Sequence, residues 1–159
     1  MSSGTLCKLV RAAVVSVAVC GLVACAGILP AVGAGIAARN PGLANCYAPW
    51  LAFIWAAAAP CFAILALIWR VSYAIKSDRV FTDETARQVK TGAVILFADT
   101  GFFFLGNLAL LLLNMSHFAV FFASLFADVF GVSLAVLAAV LSRYLTKAAS
   151  LQEEADGTI

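Results

Sequence analysis

Two aspartates, Asp99 and Asp128, are the ionisable residues of this 159-residue chain that fall inside long apolar runs. A carboxylate near the bilayer centre costs about 2.5–3.5 kcal/mol even on an insertion scale, so such a group pairs, faces water or marks an ion path. Asp99 lies nine residues beyond Lys90, and Asp128 ten beyond Phe118, on helices that run in opposite directions across a tight turn. At about 1.5 Å per residue both reach mid-membrane, within touching range of each other. Two chemistries follow. Either the pair shares a proton or binds a cation, or the two acids are neutral and hydrogen-bond across helices to Asn107, Ser124 or one another.

Other chemistry is thinly represented. No nucleophile–base pair, metal-ligand cluster or phosphate loop is present, so neither an enzyme, a metal nor a cofactor is expected. The five cysteines (Cys7, Cys20, Cys25, Cys46, Cys61) include no C-x-x-C spacing, and all but Cys46 sit in or beside apolar runs as small hydrophobes. His117, the single histidine, falls in a turn. The net charge is +2, too small to imply a polyanion. Within the central polar stretch five bases (Arg70, Lys76, Arg79, Arg87, Lys90) against Asp78, Asp83 and Glu84 leave a net charge of +2. Orientation and contact with anionic lipid explain that better than direct nucleic-acid binding.

The elements that must position these groups are four apolar stretches at residues 9–29, 49–73, 91–114 and 118–144. A bilayer core of roughly 30 Å takes about 20 helical residues, so each can cross it. With 64% hydrophobic and 11% charged residues, the chain reads as one membrane domain over 1–159. The fold class is all-α, an integral membrane four-helix bundle. Pro30, Gly33 and Gly35 end or loosen the first helix, Arg39-Asn40-Pro41-Gly42 forms a turn, and Pro60 kinks the second span. Thr82, followed by Asp83 and Glu84, caps a short helix in the 74–90 loop that leads into the third span, and Arg87 pairs with Asp83. The last helix projects beyond the membrane as a tail over 145–159. Lys8, Arg11, the basic loop, Arg143 and Lys147 place both termini and that loop in the cytoplasm by the positive-inside rule. The expected location is a membrane that the chain crosses four times. Leu22-Val23-Ala24-Cys25 resembles a lipoprotein cleavage site, but the residues after Cys25 stay apolar, so a retained first helix is expected.

Small and polar residues recur at helical spacing where helices pack in lipid. Ser124, Asp128, Gly131, Ala135, Ala138 and Ser142 form such a seam on the fourth span, and Gly92, Asp99 and Gly106 on the third. Ala52, Ala56, Ala59, Ala63 and Ala66 suggest a third on the second span.

Two segments resemble a bacterial four-span membrane family known as domain of unknown function 2975. The first runs from Asp78-Arg79-Val80-Phe81-Thr82 to Glu84-Thr85-Ala86-Arg87-Gln88-Val89; the second is Leu151-Gln152-Glu153-Glu154-Ala155-Asp156-Gly157-Thr158-Ile159. Asp78 and Gly157 depart from the family's usual Gly and Leu. The resemblance implies no activity and carries over no catalytic residue. The family's genes are often found beside a small helix-turn-helix regulator, which implies a regulatory membrane partner for a cytoplasmic transcription factor. Arg79, Val80, Phe81, Arg87, Glu153 and Glu154 are then the docking residues. The alternative is a small proton- or cation-coupled transporter or channel subunit that uses the intramembrane carboxylates. Besides lipid, a second copy of the chain remains a partner class.

Overall fold

A computed structural model describes residues 3–76 and 80–156. The described chain is helical, with no strand. In order come α1 (Ser3–Val23), a π-helical turn (Ala24–Ile28), α2 (Leu29–Arg39), a 3-10 segment (Pro41–Cys46), α3 (Tyr47–Lys76), α4 (Asp83–Leu112) and α5 (Phe118–Asp156). Four helical stretches, Gly4–Arg39, Ala44–Ile75, Asp83–Leu112 and Phe118–Glu154, are long and apolar enough to cross a membrane.

Of the two outcomes expected around Pro30, the first stretch loosens and does not end. Its backbone widens into the π turn and resumes as α2, with Pro30 in the first turn of that helix. A proline there gives up an N–H that the widened turn leaves little use for. Trp55 Nε1 reaches over from α3 to donate to Cys25 O in the π turn, 3.0 Å away. Gly33 is buried beneath Trp50 and Tyr47, where a β-carbon would stand 2.8 Å from the indole ring. The chain turns only at Asn40, which leaves helical geometry and donates its side-chain amide to Ile36 O.

Helix α4 starts as its residues predict. Thr82 is extended and its hydroxyl accepts from Thr85 N, with Asp83 and Glu84 in the first turn. The helix then runs unbroken to Leu112, so the expected short helix is the opening of α4 and not an element of its own. At its far end Met115 N donates to Leu110 O and Asn114 N to Leu111 O, with Asn114 left-handed at φ 55. That pairing closes the helix in a Schellman motif and lets α5 return antiparallel within a few residues.

Packing links α1 to α3, α3 to α4 and, most extensively, α4 to α5. The fourth side of the bundle is open. Among the described residues no Cα of α5 lies within 8 Å of one in α1. A cleft of about 240 Å³ there is lined from both sides, by Val32 and Ile36 of α2 and by His117 and Val120 near the start of α5.

The α5 seam packs as its spacing predicts, with Ser124, Asp128, Ala135 and Ser142 buried. The α3 seam does not. Ala52, Ala56, Ala59, Ala63 and Ala66 are exposed, and Ala57 is the buried alanine of that run. Helix α3 packs through rings instead. Phe53 fills the notch at Gly106 of α4, and Phe62 lies 3.3 Å from where a β-carbon of Gly21 in α1 would be. Phe53 also stacks on Phe103, ring centroids 5.7 Å apart. A large side chain opposite a glycine brings two helices together as effectively as two small ones, and the alanine face is left to the surroundings.

Candidate functional site

Helices α4 and α5 carry the four polar residues marked within the spans, and all four are buried there. Asp99 is 9% exposed, Asp128 8%, with Asn107 and Ser124 alongside. The antiparallel register follows from two contacts. Ser142 Oγ donates to Ala86 O across the pair at 3.0 Å, and Thr100 Oγ1 occupies the space beside Gly131. The first contact sets Asp128 level with position 100 and the second with position 103, so Asp99 lies within about one helical turn of it along the axis.

No hydrogen bond joins the two carboxyls. Asp99 leans toward α3, where Cys61 Sγ donates to its Oδ2 at 3.5 Å. Its Oδ1, and both oxygens of Asp128, are buried without a hydrogen-bond partner. The cross-helix bonds expected from Asn107 and Ser124 do not form. Asn107 Nδ2 donates to Phe103 O at 2.9 Å and Ser124 Oγ to Phe121 O at 2.7 Å, each within its own helix. Buried polar atoms are nearly always paired, so three orphaned carboxyl oxygens in one interface are the most unusual feature of the molecule.

A second polar cluster escaped the sequence reading. At the opposite end from the α4–α5 turn, Arg11 Nε donates to Ser72 Oγ at 3.0 Å, and Ser72 is 0% exposed. Ser72 in turn donates to Trp69 O, and Cys7 Sγ donates to Ser72 O. The Arg11 guanidinium lies 4.0 Å from the Tyr73 ring centroid and 5.1 Å from that of Trp69. Arg11 was legible as a flanking charge, but nothing in the sequence announced that it meets Trp69 and Tyr73. Together they latch α1 to α3.

The residues expected to dock a partner divide. Phe81, 53% exposed, stands at the mouth of α4, with Val80 half-buried beside it. Arg87, Glu153 and Glu154 are exposed, and Arg79 lies outside the described residues. No ion pair joins Arg87 to Asp83 among the described residues. Both line a small cleft with Lys90, Ser142 and Thr146, and Gln88 bonds Glu84 at 3.2 Å on the neighbouring face. Leu145 and Ala149 are buried, which continues the α5 seam to this end. At about 1.5 Å per residue the 39 residues of α5 span roughly 58 Å, far more than a bilayer core of about 30 Å. The start of α4 and the last turns of α5 therefore stand at one end of the pair and project past the apolar zone.

Residues 31–159 match the model of a family described as a protein of unknown function, DUF2975. No curated protein and no solved structure matches the chain.

Proposed function

Because the chain belongs to the DUF2975 family of proteins of unknown function, we propose that this multi-pass membrane protein is a non-enzymatic regulator. It holds a cytoplasmic helix-turn-helix type transcription factor at a bacterial inner membrane, with both termini inside, and leaves DNA contact to that partner. The observation that supports the reading is the Ser142–Ala86 bond. It ties the projecting part of α5 to the first turn of α4, so the two family-like segments share one end of a stiff helix pair. Phe81 offers an apolar contact, and Arg87, Glu153 and Glu154 offer charged ones. A small exposed apolar anchor ringed by charge suits a docking surface.

In-membrane photocrosslinking from Phe81 and Glu153, with mass-spectrometric identification, tests this. Capture of one DNA-binding protein at both positions is the expected result. Charge reversal at Arg79, Arg87 or Glu154 should then abolish capture and leave membrane insertion intact. A crosslink that joins Phe81 only to the chain's own tail would make these segments a structural seal and end the proposal.

A second reading is favoured by the orphaned carboxyl oxygens of Asp99 and Asp128. It makes the protein a small proton- or cation-coupled transporter or channel subunit. Flux through reconstituted protein should stop in Asp99→Asn or Asp128→Asn. Wild-type protein that conducts nothing above empty vesicles removes this reading.

A further inference from the structure

The opening turns of α4 and the stretch of α5 packed on them enclose a cleft of about 200 Å³. Asp83, Ala86, Arg87 and Lys90 line one side of it, and Ser142 and Thr146 the other. Its hydrogen-bonding capacity is lopsided. Ser142 Oγ donates to Ala86 O and Thr146 Oγ1 to Ser142 O at 3.1 Å, so both hydroxyl protons are spent and only their oxygens remain, to accept. The free donors are the two bases. Neither Arg87 nor Lys90 forms an ion pair among the described residues. Asp83 is the one acid lining the cleft, so two cations against one carboxylate call for one further negative charge. The polar cleft between α3 and α4 differs, because there Arg70 is matched by Glu84.

The setting identifies the source of that anion. Lys90 ends the charged part of α4, and Val94 and Phe97 follow it at helical spacing, 61% and 62% exposed. On α5, Ala139 and Val132 stand seven and fourteen residues before Thr146, and both are exposed. The charged cleft is thus continuous with an apolar surface on the same two helices. A free phosphate would use only the cleft. A phospholipid uses both, with its headgroup among the bases and an acyl chain along the apolar surface. Basic clefts between spanning helices suit acidic headgroups, and an arginine meets a phosphate with two parallel N–H bonds. Asp83 and the two hydroxyl oxygens accept without donating, which suits hydroxyls carried beside the phosphate. An ammonium headgroup would instead set a third cation beside Arg87 and Lys90.

We propose that this cleft binds an anionic phospholipid whose headgroup carries hydroxyl groups, of the phosphatidylglycerol class. Arg87 and Lys90 hold the phosphate, and Asp83, Ser142 and Thr146 accept from the headgroup hydroxyls. The site rests on neither functional reading. Arg87 is shared with the proposed docking surface but Lys90 is not, so Lys90→Gln tests the site without touching that surface.

Native mass spectrometry of the full chain released from micelles counts the lipids that stay bound. With phosphatidylglycerol, phosphatidylethanolamine and phosphatidylcholine of matched chains offered together, the wild type should retain phosphatidylglycerol in preference to the other two. A base near an acidic membrane surface is worth roughly fivefold in affinity, so Lys90→Gln and Arg87→Gln should each lower retention by about that factor. The double variant should show no preference. Arg143→Gln and Lys147→Gln remove the same charge from α5 outside the cleft and should leave retention unchanged. All four side chains are exposed, so folding is not at stake. Equal retention of the three lipids, or an equal loss in the Arg143 and Lys147 variants, would overturn the site, since the contact would then be general surface attraction. Preference for phosphatidylethanolamine would overturn the choice of headgroup. Glycerol phosphate that displaces the lipid at equal concentration would make the cleft a site for a soluble anion and refute the proposal.

Discussion

Thr100 on α4 and Gly131 on α5 meet so closely that a β-carbon on Gly131 would stand 2.5 Å from the Thr100 hydroxyl oxygen. That hydroxyl is already fixed by its bond to Leu96 O, so it has little freedom to retreat. Gly131→Leu should wedge the pair apart and cost about 1–3 kcal/mol, the usual range for overpacking. Gly131→Ala should cost less, and Thr100→Ala should rescue it. Unfolding of the purified protein in micelles checks this; equal stability of wild type and Gly131→Leu would contradict the packing.

The latch between α1 and α3 makes a second prediction. Ser72→Ala removes the acceptor of Arg11 in a site closed to water, and should destabilise by about 1–3 kcal/mol. Arg11→Met keeps much of the stem's packing on Tyr73 and Trp69 while removing the charge. In a double-mutant cycle the two changes should be strongly non-additive. Additive effects would mean that the Arg11–Ser72 bond contributes nothing of its own.

Asn114 takes the left-handed conformation that closes α4. Asn114→Gly should be neutral or mildly stabilising, since glycine adopts that region freely. Asn114→Val should cost about 1–2 kcal/mol, because a β-branched side chain crowds the left-handed backbone and lacks the short polar group by which asparagine tolerates it. Thermal unfolding in the same micelles ranks the three proteins, and an order other than Gly at or above Asn, with Val last, would count against a Schellman closure.

Orientation can be tested at two exposed positions at opposite ends of α5. In a cysteine-free background an impermeant thiol reagent applied outside the cell should label His117→Cys and spare Ser150→Cys. The reverse pattern would invert the proposed topology, and with it the proposed cytoplasmic placing of Phe81 and Glu153.

Much of the local structure could be read from single residues and their neighbours. Thr82 before Asp83 and Glu84 marks a helix start because an N-cap hydroxyl and first-turn carboxylates act within one turn. The α5 seam from Ser124 to Ser142 is legible because an acid and several small residues share one face of an otherwise bulky helix. The passage of the first helix through Pro30 was less accessible, since whether a proline ends a helix depends on whether its neighbours can widen to accommodate it.

What the sequence alone determined is the four apolar stretches long enough to cross a membrane, and the depth of Asp99 and Asp128 within them. Hydropathy and helical rise are sums over consecutive residues and need no knowledge of neighbours. Only the tertiary structure decided which faces meet. In a span that is apolar all round, periodicity does not distinguish the buried side, because lipid accepts every face equally. Thus Phe53 against Gly106, rather than the alanine stripe, sets the α3–α4 contact. Thr100 on α4 packs against Gly131 on α5, and Cys61 comes to Asp99 from a helix 38 positions back in the chain. Those contacts depend on the fit of one surface to another, a property of pairs of helices that neither helix carries in its own sequence.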